Sequence, residues 1–559
     1  MRARGDALAA IASERFDVLV IGGGITGAGV ALDASSRGYS VALVEQADYA
    51  SGTSSRSSKL VHGGLRYLQN FDLGLVREAL LERQLMARLA PHLVRPLPMI
   101  VAAFEGAHPD RLVGIGLNMY DVMSMPLRGR RRGRSAQLDQ SESAWSPDRH
   151  RMISGEEVSA LLPALADRDP TGGYLFYDCQ TDDVRLVLTV LGEAERFGAI
   201  CLNRARVTGL RSGGSGPADG ATVISVLDGC GGDTLEVRAD NVINATGVWA
   251  DRIVPGELSS EAELPQIVPS RGTHVLLPDE RLPLRAGAIV PVSDGRSIFA
   301  LPWLGRTLVG TTDETYDGEL EHVRPSEQDV GYLLVAVNEF FGCSLTPGDL
   351  AGAYAGVRPL IATGDSRRSV DISRREELFE TSSGMITITG GKLTTWRRMA
   401  KLAVDRLVAR DGRVAPCRTH EIPLGAPVDA EHLPRVAGVA EEAYAALAGR
   451  YGFAAGQVLE LAAADPVLAR PIVTGQPDLL AEARFAAAAE QAASVGDVLL
   501  RRTRLGLVAA RDCCRDGGAV ARTVAEIVGT ELGWDAATVD VQADRFADEA
   551  RAEGIVVRA

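Results

Sequence analysis

The stretch FDVLVIGGGITGAGVALDASSRGYSVALVE, residues 16–45, reads as one β-α-β unit. An apolar strand, DVLVI, runs into a glycine turn; a helix follows over TGAGVALDASSRG, Gly38 stops it, and SVALVE makes a second strand. Runs this apolar suit strands buried on both faces of a parallel sheet. Gly22, Gly24 and Gly27 fit the spacing G-x-G-x-x-G. Gly22 permits the tight turn, Gly24 lets the backbone approach a pyrophosphate, and Gly27 lets helix and strand pack closely, with the helix N-terminus favouring the anion. Glu45 closes the second strand, where a carboxylate accepts hydrogen bonds from a ribose. Strand, turn, helix, strand and terminal acid together point to a dinucleotide.

The rest of the chain offers no comparable second unit for a nicotinamide dinucleotide, which favours a tightly held flavin. Two further stretches suit that reading. ITGGKLTTWR, residues 388–397, places Gly390 and Gly391 before an apparent helix, so its amides can face the pyrimidine side of an isoalloxazine. VINATGVWAD, residues 242–251, is an apolar strand running into Ala245-Thr246-Gly247, small residues suited to a close approach.

A chain of 559 residues exceeds a single core and implies two or more domains. Its 59 basic and 73 acidic residues give a net charge of −14, which argues against a nucleic-acid binder. Seven cysteines with no C-x-x-C spacing make neither a disulfide framework nor a zinc knuckle, so a reducing compartment and no metal are expected. No window has the length of a membrane span, and the N-terminus lacks a cleavage site.

The pattern predicts a helix over DLGLVREALLERQLMARLA, with Asp72 as N-cap, and a half-buried helix over DRLVGIGLNMYDVMS. A basic loop, RGRRRGRS, residues 128–135, follows. From about Ala288 to Asp313 the strands AIVPV, SIFALPW and RTLVGTTD form an antiparallel meander. Beyond about Pro416 the chain is rich in Ala, Leu and Glu, with helical periodicity.

These motifs carry a resemblance. FDVLVIGGGITGAGVALDASSRG, SSKLVHGGLRYL, INATGVWAD, GVRPL and GGKLTTWR, in this order, resemble the FAD-dependent, quinone-linked glycerol-3-phosphate dehydrogenases. The resemblance covers residues 16 to about 400 closely. The first and last motifs are shared by many flavoproteins, whereas SSKLVHGGLRYL and GVRPL are more specific.

The implied fold is α/β: a Rossmann-like FAD-binding domain interleaved with a mixed or antiparallel-sheet substrate domain, plus an all-helical C-terminal domain. The oxidoreductase module is expected over 1–415, with FAD-binding segments at about 16–80, 175–260 and 350–410 and substrate segments at about 81–174 and 261–349. The helical cap takes 416–559. Non-covalent FAD is implied, as are sn-glycerol 3-phosphate as substrate, a quinone as acceptor, a homo-oligomer and a peripheral place on the cytoplasmic face of the membrane.

The resemblance also implies site residues. Thr53, Ser54, Ser58 and Lys59 are expected against the pyrophosphate and ribityl chain, with the His62-Gly63-Gly64 backbone passing the ring. Ala245, Gly247, Gly391, Leu393 and Thr394 complete the flavin contacts, and Lys392 lies by the pyrimidine edge. Arg66, Tyr67 and Arg374 are placed on the substrate phosphate and Arg358 near the reacting carbon, since a phosphate dianion calls for forked guanidinium donors. Hydride loss from C2 leaves a hydroxyl proton, and His274, in SRGTHVLLP, is the expected base. Read plainly, Lys59 could be a surface lysine, Arg66 a partner of Glu78, and His62 and His274 packed histidines. A glycerol-3-phosphate oxidase, an amine- or amino-acid-oxidising flavoenzyme, and a non-catalytic flavin sensor are the competing readings.

Overall fold

The computed structural model describes residues 1–64, 73–105, 116–117, 149–211, 222–256, 263–362, 376–515 and 518–557. The predicted β-α-β unit is there: strand Arg15–Ile21, helix Ile25–Ser36 and strand Val41–Val44. Val18, Leu19 and Val20 have no exposure, so the strand is covered on both faces, as an unbroken apolar run demands. It pairs in parallel with Val41–Val44 on one side and Thr234–Asn244 on the other. Ile200–Leu202 and Ile386–Thr389 extend the parallel sheet outward, and a hairpin of Ala205–Arg211 and Thr222–Asp228 joins Thr234–Asn244. In register, Ile21 lies opposite both Val44 and Asn244, so three strands end together above the glycine turn. Ligands of open α/β sheets bind at such carboxyl ends.

Helix Ile25–Ser36 is rich in small residues because two helices press on it, Asp183–Arg196 and Trp396–Asp411. A Cβ on Gly29 would lie 2.5 Å from the Trp396 ring.

Among the described residues the second sheet has ten strands and is antiparallel except where Gly287–Pro291 meets Arg95–Ala103. The predicted meander appears as Gly287–Pro291, Ser297–Trp303 and Arg306–Gly310. Strand Ile267–Pro278 runs between Arg306–Gly310 and Gly352–Ile361, so His274 lies opposite Gly310 on one side and Tyr354 on the other. The predicted helix after residue 72 spans Leu73–Leu89. Its expected cap Asp72 and the basic loop 128–135 lie outside the described residues, as does most of the half-buried helix expected over 110–124.

The C-terminal part is helical, with Glu441–Tyr451, Ala455–Ala464, Leu480–Ala489, Ala519–Leu532 and Ala536–Glu553 as its main elements. Its apolar faces are buried within the chain. Leu447, Leu499 and Leu507 share one core with Leu97, Met99, Trp303 and Tyr354 of the second sheet.

Against the module that carries the β-α-β unit, the cap presents charge instead. Arg502, fully buried, clasps Asp48 with two bonds of 2.6 and 2.9 Å, and Arg501 adds a third at 2.7 Å. Arg185 holds Glu490 in the same forked way, and Arg204 reaches Asp497 at 2.7 Å. Removing one partner of a buried pair costs more than the pair contributes, because the other charge stays desolvated. Asp48→Asn keeps the shape but withdraws the charge that two buried guanidiniums share. It is expected to lower stability by about 3 kcal/mol, measured by urea unfolding of the purified protein; a midpoint equal to wild type would show that the other carboxylates carry the seam.

Candidate functional site

The ends of the parallel strands and the edge of the second sheet enclose one cavity of about 810 Å³, within the range that holds organic ligands. At its first end lies the glycine turn. Gly22 has φ +112°, and a Cβ there would lie 2.6 Å from the Ala245 carbonyl oxygen. A Cβ on Gly27 would lie 1.9 Å from the Gly22 oxygen. Gly24 is the N-cap of the helix and offers no side chain, so the helix start opens to the cavity. Glu45 accepts from the Gly23 amide at 2.6 Å and from Ala47 at 2.9 Å. Burial raises its pKa, and these two amides oppose that rise.

Along the middle, Ser54 accepts from the Ile25 amide at 3.0 Å and Thr53 donates to the Val357 carbonyl at 2.6 Å. Gly247 has φ +60°, and a Cβ there would meet nothing within 4 Å. The chain thus leaves open space at the position where a ligand would pass. Gly391, at φ +67°, packs so tightly that a Cβ would lie 2.4 Å from the Met399 sulfur. Thr394 ties this turn to the His62 segment, its hydroxyl lying 3.2 Å from both the amide and the carbonyl of His62.

The wall also holds the reactive groups. His274 is 2% exposed, and its Nε2 lies 2.8 Å from the Ser58 hydroxyl. Its Nδ1 is buried with no partner among the described residues, and its ring stacks on Tyr354. Burial, then Lys59 and Arg358, push its pKa well below the usual histidine value, so the imidazole is neutral near pH 7 and able to accept a proton. The ring fits because its cross-strand partner is glycine: a Cβ on Gly310 would lie 2.2 Å from it. Arg358 is held by Asp313 at 3.3 Å, Ser270 at 3.4 Å, and Thr311 and the Thr312 carbonyl at 3.2 Å each. Ser270 in turn donates to Asp313 at 2.5 Å.

Of the residues expected from sequence, Gly22, Gly24, Glu45, Thr53, Ser54, Ser58, His62, Ala245, Gly247, His274, Arg358, Gly391, Lys392, Leu393 and Thr394 all line this cavity. Gly27 sits beneath the turn. Arg66, Tyr67 and Arg374 lie outside the described residues. Lys59 is the correction. Expected against the cofactor's pyrophosphate and ribityl chain, its side chain turns away from the cavity into the protein, where its ammonium donates to Asp183 at 2.7 Å and the Ser55 carbonyl at 2.6 Å. A fully buried ammonium needs a carboxylate, and Asp183 supplies one. Gly63 is likewise set back from the cavity, its amide donating to Asp178 at 3.3 Å. Sequence reasoning missed Asp313 and Ser270, which steady Arg358, and Tyr354, which lies four residues before Arg358 on the same strand face. Among the described residues no cluster of His, Cys, Asp and Glu could hold a metal ion.

A dinucleotide turn and a neutral histidine with a steadied arginine, all lining one cavity, define a flavin-dependent oxidoreductase. Residues 17–406 match the family described as "FAD dependent oxidoreductase", and residues 417–539 match the "C-terminal domain of alpha-glycerophosphate oxidase". Glycerol-3-phosphate dehydrogenase 2 of Mycobacterium tuberculosis is 38% identical over 552 residues, 97% of this chain and 89% of its own. A glycerol-3-phosphate dehydrogenase of Synechocystis is 33% identical over 562 residues, 96% of each chain. The crystal structure of the glycerol-3-phosphate dehydrogenase from Bacillus halodurans complexed with FAD superposes with a TM-score of 0.76 at 27% identity, covering 100% of this chain and 98% of that one. The chain belongs to the FAD-dependent glycerol-3-phosphate dehydrogenase family, and FAD is its cofactor.

The residues present fit that cofactor: the helix start at Gly24, the Glu45 carboxylate and the open space at Gly247 all border the cavity. Gly391→Val would strain the backbone and drive a side chain into Met399, in the turn that carries Lys392. The variant is expected to purify with less FAD than wild type, read as flavin absorbance per protein; full occupancy would exclude this turn from FAD binding.

Proposed function

We propose that the protein oxidises sn-glycerol 3-phosphate at C2 to dihydroxyacetone phosphate and passes the electrons to a membrane quinone. The observation that carries this reading is the convergence of His274 and Arg358 in the cavity that the glycine turn also lines. The names of the 38% and 33% identical relatives support the substrate.

FAD, when bound, supplies the hydride acceptor at its N5 and stores the two electrons. The chain's residues handle the proton and the charge. His274, neutral and buried, takes the C2 hydroxyl proton as the hydride departs. Arg358, restrained by Asp313 and Ser270, faces the oxygen on which the carbonyl forms and stabilises its charge. Lys392 would lie by the pyrimidine edge, where its positive charge favours the reduced form. Arg66, Tyr67 and Arg374 are assigned to the phosphate.

A quinone acceptor places the protein at the inner face of the cytoplasmic membrane. No helix among the described residues is long and apolar enough to cross a membrane, so the proposed attachment is peripheral. Oxygen is the competing acceptor, because the cap matches a domain named for an oxidase.

Two measurements test the proposal. Under anaerobic conditions sn-glycerol 3-phosphate should bleach the flavin and plain glycerol should not; no bleaching overturns the substrate. His274→Asn should slow the bleaching by about 10²–10⁴-fold. In air, steady-state turnover that yields stoichiometric hydrogen peroxide would replace the quinone with oxygen.

A further inference from the structure

His274 is held from behind the cavity wall as well as from within it. Lys59 has no exposure and adopts a left-handed backbone, φ +61°, a conformation that persists only where the surroundings over-determine it. Its ammonium, tied to Asp183, sits 4.8 Å from the centre of the Tyr354 ring and 5.5 Å from that of Trp303. Tyr354 stacks on His274 with centroids 4.8 Å apart and planes inclined by 12°. The residue before Lys59 is Ser58, whose hydroxyl meets His274 Nε2, and the residue before that, Ser57, accepts from the Tyr354 hydroxyl through its carbonyl at 2.7 Å. The segment 57–59 therefore reaches the imidazole by two routes, through a ring stack and through the adjoining serine.

We propose that Lys59 is a positioning residue for the proton acceptor: it braces His274 through Tyr354 and Ser58, and its charge opposes a second positive charge on the imidazole. This rests on the reading of His274 as the base. The groups around the ring agree with it. Strand Gly352–Ile361 contributes Tyr354 and Arg358, strand Arg306–Gly310 contributes the uncharged Gly310, and the wall segment contributes Ser58 and Lys59. Asp329, from helix Glu327–Phe341, is engaged by Thr273 and Arg271, and alternation puts Thr273 on the other face of the strand. Asp313 is spent on Arg358 and Ser270. Asp182, Asp183 and Arg504 act on Tyr354. On the imidazole itself burial acts first, then Lys59, then Arg358. Burial also pulls the Lys59 ammonium down to about 8, with Asp183 holding it up.

The sign follows. A neutral His274 is the active form, so flavin reduction falls on the acid side as the ring takes up a proton. Removing the Lys59 charge makes that proton easier to bind and moves the acid limb to higher pH.

The test is the anaerobic rate of flavin reduction by sn-glycerol 3-phosphate, followed across pH in the FAD-loaded full-length protein. Lys59→Met should move the acid limb up by roughly one pH unit, the effect of a unit charge within about 10 Å at an effective dielectric of about 20. Lys59→Arg should return the limb toward its wild-type position. A Lys59→Met holoenzyme with full FAD content and the wild-type limb overturns the inference. Should Lys59→Met fail to fold, Tyr354→Leu keeps the Lys59–Asp183 pair but removes the stack; it should slow reduction at saturating substrate at least tenfold, and a wild-type rate overturns the bracing role. His274→Asn separates the two readings. A wild-type rate there sinks the base assignment and the inference with it. A slow His274→Asn beside an unshifted Lys59→Met sinks the inference alone.

Discussion

The rest of the architecture depends on buried charge along the seam between the helical cap and the flavin module. Asp48, Asp183 and Asp497 are almost wholly withdrawn from water, and each is held by two arginines or by an arginine and a lysine. Such pairs add little net stability over an apolar interface, but they tolerate only one registration, since any slip leaves a charge desolvated. Arg504 and Lys59 reach Asp183 from left-handed backbone, and Arg204 reaches Asp497 from the same conformation. Several locally unfavourable backbones at one seam indicate that the interactions there outweigh the local preference.

That registration matters because the segments it fixes are the cavity wall. Asp48 lies three residues beyond Glu45, and Asp183 holds Lys59, next to Ser58. Among the described residues none of the cap lines the cavity, yet the cap sets the two loops that do. The second sheet supplies the opposite wall by strand register alone. Pairing His274 with glycine on one neighbour and tyrosine on the other leaves room for the imidazole on one side and a flat surface on the other. A shift by one residue would turn His274 to the far face of the sheet.

Much of this is legible in the residues alone. The β-α-β unit, the meander, the histidine strand and the glycine-rich turn at 390–391 announce themselves because each is a local pattern, readable within a few residues. What was not legible is long-range pairing. Lys59 sits inside a flavin-contacting motif, so its natural reading is as a cofactor contact; its true partner is Asp183, 124 residues away, an aspartate that also holds the arginine 321 residues further on. Asp313 has the same character, an acid at a strand end whose task appears only once Arg358 folds beside it. The cap's apolar faces could equally have served a second subunit, and only the fold assigns them to the second sheet.

The charge of the chain as a whole makes the surroundings of His274 more pointed. With a net charge of −14 the protein repels anions over most of its surface. Around His274 the balance reverses: Arg358 lines the cavity beside it, Lys59 stands behind the wall, and Asp313 is engaged with Arg358 and Ser270. A cleft with low-dielectric walls concentrates such a field instead of letting solvent spread it. The same cations that would attract a phosphorylated substrate also oppose protonation of His274. Anion capture and a neutral base thus come from one arrangement, and neither could be altered without disturbing the other.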